Sequence, residues 1–125
     1  MNSSWLVTGA NGFLGWNAPP ALSNGISLFG ATRSGAIPKG YEGAVALDLL
    51  NVSAAEKSIR DLQPKVILHA AAIANHEECE SDPARANRVN VQATRELAAI
   101  AASVGAKFVY ISTDAVFDGA TGNYA

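Results

Sequence analysis

The stretch Leu6-Val7-Thr8-Gly9-Ala10-Asn11-Gly12-Phe13-Leu14-Gly15 constrains the fold more than any other part of the chain. Residues 4–8 read as a short apolar strand. Three glycines in G-x-x-G-x-x-G spacing then lead into a helix starting near Gly12. A strand that turns through glycines into a helix start presents unpaired N–H groups, and the positive end of the helix dipole, to an anion. Without Cβ atoms in the way, a pyrophosphate can approach the backbone closely. Taken alone, the glycine pattern is more often a tight turn. Its place between a strand and a helix, at the head of a strand–helix–strand unit, favours a dinucleotide loop.

The rest of the chain repeats the alternation. Strands are expected at Ile26 to Ala31, Val45 to Asp48, Lys65 to Ala70 and Lys107 to Ser112. Helical character runs from Ser53 to Leu62 and stops before Pro64. Ser81-Asp82-Pro83 reads as a capped helix start. The helix that follows carries Ala86, Val89, Ala93, Leu97, Ile100 and Val104 at steps of three or four, and Gly105 sits at its expected C-terminal end. Continuously apolar strands separated by helices predict an α/β fold: a doubly wound, Rossmann-like parallel sheet of order 3-2-1-4-5, ending after strand five. The switch point then lies between strands one and four, so the glycine loop and residues 69–72 face one crevice. Pro19 and Pro20 conflict with the first helix, which is expected to be short or bent after Ala18. Residues 35–43 read as an exposed loop, and residues 113–125 as turn-rich and polar.

With 125 residues the chain is expected to form one domain. A hydrophobic content of 49% supplies a core, and a net charge of −2 without a basic run argues against nucleic acid as a partner. Cys79 is the only cysteine, which fits a reducing cytoplasm, and neither His69 nor His76 has metal-ligand spacing. No apolar stretch reaches the ~18 residues of a membrane span.

Several residues carry candidate chemistry. Strand two ends Gly30-Ala31-Thr32-Arg33-Ser34, without the carboxylate that would bind the ribose hydroxyls of NAD. The planar fork of Arg33 suits a 2′-phosphate, so NADP(H) is favoured over NAD(H). A solvated arginine is the plainer alternative. Asp48 could meet the adenine amino group or cap a turn. The small residues Ala70, Ala71 and Ala72 would let a flat cofactor lie close, or would serve helix packing alone. His69 reads as a buried, hydrogen-bonded residue rather than a general base. Thr113 could donate to a substrate carbonyl, or Ser112 and Thr113 could simply cap the strand end, with Asp114 in an Asx turn.

The block from Val7 to Gly15, together with His69-Ala70-Ala71-Ala72, resembles the extended short-chain dehydrogenases/reductases. Cys79-Glu80-Ser81-Asp82-Pro83, Asn90 and the block Tyr110-Ile111-Ser112-Thr113-Asp114-Ala115-Val116-Phe117-Asp118-Gly119 are most similar to the dTDP-4-dehydrorhamnose reductase branch. That resemblance implies NADPH- or NADH-dependent reduction of the 4-keto group of a nucleotide-linked sugar. It assigns Gly9, Asn11, Gly12, Phe13 and Leu14 to the pyrophosphate, Arg33 to the 2′-phosphate, and Asp48 and Leu49 to the adenine. Ala70 to Ala72 would line the cleft, Asn90 would support the site, and Thr113 would be the catalytic hydroxyl. The family also uses a tyrosine with a lysine four residues later as its proton donor. Here Tyr41 is followed at that spacing by Val45 and Tyr110 by Asp114, and Tyr124 has one residue after it. The chain is thus expected to be the N-terminal section of a longer enzyme, inactive by itself. An open outer edge on strand five would invite a homodimer. The alternatives are a non-catalytic dinucleotide-binding subunit, or another reductase, epimerase or dehydratase of nucleotide sugars.

Overall fold

The computed structural model describes residues 3–22 and 24–123, without the side chain of Asp114. Tyr124 and the Asx turn assigned to Asp114 therefore lie outside the described residues. Five parallel strands, β1 (Ser3–Thr8), β2 (Ile26–Thr32), β3 (Gly43–Ala46), β4 (Val66–His69) and β5 (Lys107–Tyr110), form one sheet in the order β3-β2-β1-β4-β5. This is the topology the alternation predicts. β1 occupies the centre, pairing Thr8 with Ala31 on one side and with His69 on the other.

Successive residues of each strand point to opposite faces, and both faces are covered. On one face Leu6, Ala31, Val45 and Ile67 pack with Val52 and Ala55 of a 3₁₀ turn (Val52–Ala55), Ile59 of α2 (Glu56–Leu62), and Ala93, Leu97, Ile100 and Ala101 of α5 (Ala93–Val104). Each fully buried leucine or isoleucine here contributes about 1.5–3 kcal/mol. The other face is thinner. Val7, Leu28 and Leu68 are covered by Leu22 of α1 (Phe13–Leu22) and by Tyr41.

Four local expectations need correction. First, α1 continues past Ala18, through Pro19 and Pro20, to Leu22. Pro19 has no N–H to give the Gly15 carbonyl, and the Tyr41 hydroxyl donates to that carbonyl instead, at 2.6 Å. Burial pushes the Tyr41 phenol up from its ordinary pKa, which keeps the donor proton in place. Second, residues 35–43 are not simply an exposed loop. Pro38 is buried, Gly40 (φ +103°) leaves no room for a Cβ against the Pro19 ring, and Tyr41 packs on the sheet. Third, β3 ends at Ala46 rather than Asp48, because the Asp48 carboxylate accepts from Leu50 N–H at 2.9 Å and turns the chain. β4 and β5 are likewise shorter than expected, and β5 stops at Tyr110.

Fourth, the region after β4 contains more structure than periodicity suggests. α3 (His76–Ser81) starts at Asn75, whose side chain accepts from Glu78 N–H at 2.9 Å. α4 (Pro83–Asn87) starts at Asp82, which accepts from Arg85 N–H at 3.0 Å, as the capping pattern predicts. Between α4 and α5 lies a π turn, Arg88–Gln92, and α5 ends at Gly105 (φ +71°), with Ala106 N–H bonded back to Ala101.

Candidate functional site

A cleft of about 320 Å³ lies at the switch point. Gly9, Asn11 and Gly12 line it from the glycine loop, and Ala70, Ala71 and Ala72 from the end of β4. Arg33, Asp48 and Leu49 line it from the ends of β2 and β3. Nine of the predicted site residues, on four separate segments, are thus brought together.

The loop is built by close contacts. At Gly9 (φ +65°) a Cβ would come within 3.0 Å of Ala71 Cα, so the loop and the end of β4 touch through backbone. Ala10 is fully buried and fits between Gly15 and Gly30. A Cβ at Gly15 would lie 2.5 Å from Ala10 Cα, and one at Gly30 would lie 2.8 Å from Ala10 Cβ. The third glycine of the motif therefore serves helix–strand packing. Gly12 N–H folds back onto the Gly9 carbonyl at 2.9 Å. The N–H groups of Phe13 and Leu14, first in α1, have no partner among the described residues. Two orphan donors at a helix start beside a glycine-lined cleft fit the pyrophosphate of a dinucleotide. Arg33 has no ion-pair partner among the described residues, which leaves its guanidinium able to take a phosphate. Asp48 both lines the cleft and, through its carboxylate, holds its turn.

Four predicted residues do not line this cleft. The Phe13 side chain is 90% exposed and Leu14 is at the surface, so these two offer backbone alone. Asn90 lies in the π turn, accepts from Ile73 N–H at 2.8 Å and donates to the Ile73 carbonyl at 2.9 Å. It fixes the β4–α3 segment from behind. Thr113 is exposed beyond β5, and its hydroxyl accepts from Ala115 N–H at 3.1 Å.

The cleft floor is held by a buried relay. Thr8 Oγ1 accepts from the N–H groups of Ala70 and Ala71, at 3.0 and 3.1 Å. Its single proton therefore goes to His69 Nδ1, 2.7 Å away. That fixes the proton of neutral His69 on Nε2, which donates to Thr94 Oγ1 at 3.0 Å, and Thr94 donates to the Asn90 carbonyl at 2.8 Å. His69 is 1% exposed and packs beside the rings of Phe108 and Tyr110. Burial lowers its pKa to about 4.

Between pH 6.5 and about 4 the unfolded chain binds a proton that folded His69 refuses. Stability is thus fully present above pH 6.5 and is lost as pH falls through that window, by about 3 kcal/mol in all. Urea unfolding at pH 7, 5.5 and 4 should show the decline, and His69→Gln should flatten it. Equal slopes in both proteins would place its origin elsewhere.

Sequence reasoning missed Ile73, Arg85 and Val89, which also line the cleft. The capped start at Asp82 carried the signal. It puts Arg85 in the first turn of α4, four residues before Val89 and on the same face. Among the described residues no cluster of three or more metal-ligating side chains occurs, and no helix is long and apolar enough to cross a membrane.

A central β1, a glycine loop and a cleft at the crossover define a Rossmann-like domain of the nucleotide-binding class. Residues 3–125 match the RmlD substrate binding domain family, and the chain belongs to that family. It is 39% identical over 120 residues to methionine adenosyltransferase 2 subunit beta of Xenopus laevis, which covers 95% of this chain and 35% of that protein. It is 36% identical over 118 residues to dTDP-4-dehydrorhamnose reductase of Streptomyces griseus, covering 94% of this chain and 36% of that one. The structure of the Bacillus anthracis dTDP-4-dehydrorhamnose reductase in complex with NADP superposes with a TM-score of 0.82 at 30% identity, over 96% of this chain and 39% of that chain. The chain spans about a third of the length of the curated relatives it matches.

Proposed function

We propose that this chain is the cofactor-binding half of an NADP-dependent reductase acting on the 4-keto group of a nucleotide-linked deoxysugar. The observation that carries this is the cleft itself, lined by the glycine loop and by Arg33, which has no ion-pair partner among the described residues, with the orphan N–H groups of the α1 start beside it. The N–H groups of Phe13 and Leu14 take the pyrophosphate, Arg33 takes the 2′-phosphate, and Asp48 and Leu49 border the adenine. Ala70 to Ala72 let the cofactor lie flat, and Thr113 donates to the substrate carbonyl oxygen. The nicotinamide group supplies the hydride when bound. The NADP complex of the Bacillus anthracis relative and the identity to the Streptomyces griseus enzyme support this reading.

Arg33→Ala should weaken NADP⁺ binding by the full-length protein roughly 10- to 100-fold, the range of a charge-assisted bidentate contact, and leave NAD⁺ binding nearly unchanged. Calorimetric titration with both cofactors decides. An equal loss for both would remove Arg33 from the 2′-phosphate.

A second reading is a non-catalytic dinucleotide-binding subunit. It is favoured by the 39% identity to a methionine adenosyltransferase subunit. Turnover of a dTDP-4-keto-6-deoxysugar with NADPH by the full-length protein supports the reductase. Saturable NADPH binding without turnover supports the subunit.

A further inference from the structure

We propose that Arg85 stacks over the adenine end of the cleft, and that its ion pair with Glu78 competes with that contact. The inference rests on the dinucleotide reading above and concerns one residue of that site. Arg85 and Val89 line the cleft from α4 and the π turn, while Leu49 and Leu50 line it after β3. These apolar side chains make a slot suited to a flat heteroaromatic ring, and Arg85 sits one helical turn outward from Val89, at its rim. A guanidinium is planar and weakly hydrated, so it stacks on an aromatic face better than an ammonium does.

The ion pair of Arg85 is equally specific. Its Nη1 lies 2.7 Å from Glu78 Oε1, in a pair whose side chains are 41% and 50% exposed. Both backbones are anchored by caps: Asn75 accepts from Glu78 N–H and Asp82 accepts from Arg85 N–H. Two short capped helices thus fix the roots of the side chains and leave the tips free. An ion pair this exposed is weak and easily exchanged. Glu78 does not line the cleft, so a guanidinium laid flat on the ring leaves the carboxylate to solvent.

The test uses the full-length protein and two fragments of the cofactor, adenosine 2′,5′-bisphosphate and nicotinamide mononucleotide. Arg85→Ala should weaken adenosine 2′,5′-bisphosphate and NADP⁺ roughly fivefold and leave the mononucleotide unchanged. Arg85→Lys should recover less than half of that loss, because it restores charge without the planar face. Glu78→Gln should tighten adenosine 2′,5′-bisphosphate about two- to threefold, and should have no effect in the Arg85→Ala background. Full rescue by lysine would show a simple charge contact and overturn the stacking role. Unchanged affinity in Arg85→Ala, with normal binding by the parent protein, would overturn the inference alone. No binding of adenosine 2′,5′-bisphosphate by the parent protein would remove the dinucleotide reading and this inference together.

Discussion

Gly15→Ala should destabilise the protein by about 3 kcal/mol and lower its melting midpoint by roughly 10 °C. The added methyl would lie 2.5 Å from the carbonyl carbon and Cα of Ala10, and both are backbone atoms. Ala10 cannot retreat, because its own methyl already rests against Gly30. The first turn of α1 would have to move away from β2, and its orphan N–H groups would move with it. NADP⁺ affinity should therefore fall with stability. Gly12→Ala provides the contrast: its methyl would meet only the Gly9 carbonyl at 3.2 Å, so the melting midpoint should change little. A Gly15→Ala protein that melts with the parent would show that the third glycine is not a packing residue.

Thr8→Val should be the most damaging substitution of a polar residue, at about 4 kcal/mol. Valine keeps the shape of threonine, but the change strands three groups at once: the N–H groups of Ala70 and Ala71, and His69 Nδ1. Each unsatisfied buried group costs about 1–3 kcal/mol, and some relief through rearrangement is expected. Thr8→Ser keeps the hydroxyl and should stay within about 1 kcal/mol of the parent. Chemical unfolding of the three proteins makes the comparison. Equal stability of the valine and serine variants would mean that the relay does not hold the floor of the cleft.

Legibility of the fold followed the range of the interactions. The strand order, the Asp82 cap and the Gly105 terminus rest on local patterns, and all three were readable from the residues around them. The path of α1 through two prolines was not, because its remedy is a tyrosine 26 residues from the Gly15 carbonyl it satisfies. The π turn was hidden because steps of three and four look alike whether or not one extra residue is present. α3 was missed for a different reason. The sequence His-Glu-Glu-Cys-Glu-Ser has no apolar face for periodicity to detect, and only the Asn75–Glu78 spacing marked it. In the site, the glycine loop and Arg33 announce themselves by residue type. Arg85 does not, since an arginine early in a polar helix looks like any solvated charge until the fold turns it toward the cleft.

The Tyr41 hydroxyl also ties together two parts of the chain that lie far apart in sequence. A helix with prolines at its seventh and eighth residues gains little from local growth, since the missing donor comes from a segment made later. The first turn of α1 is thus completed only when residues 37–41 have closed over Pro19 and β2 has paired with β1. The ligand loop consequently belongs to the same cooperative unit as the centre of the sheet. It opens with that unit rather than fraying separately at the surface.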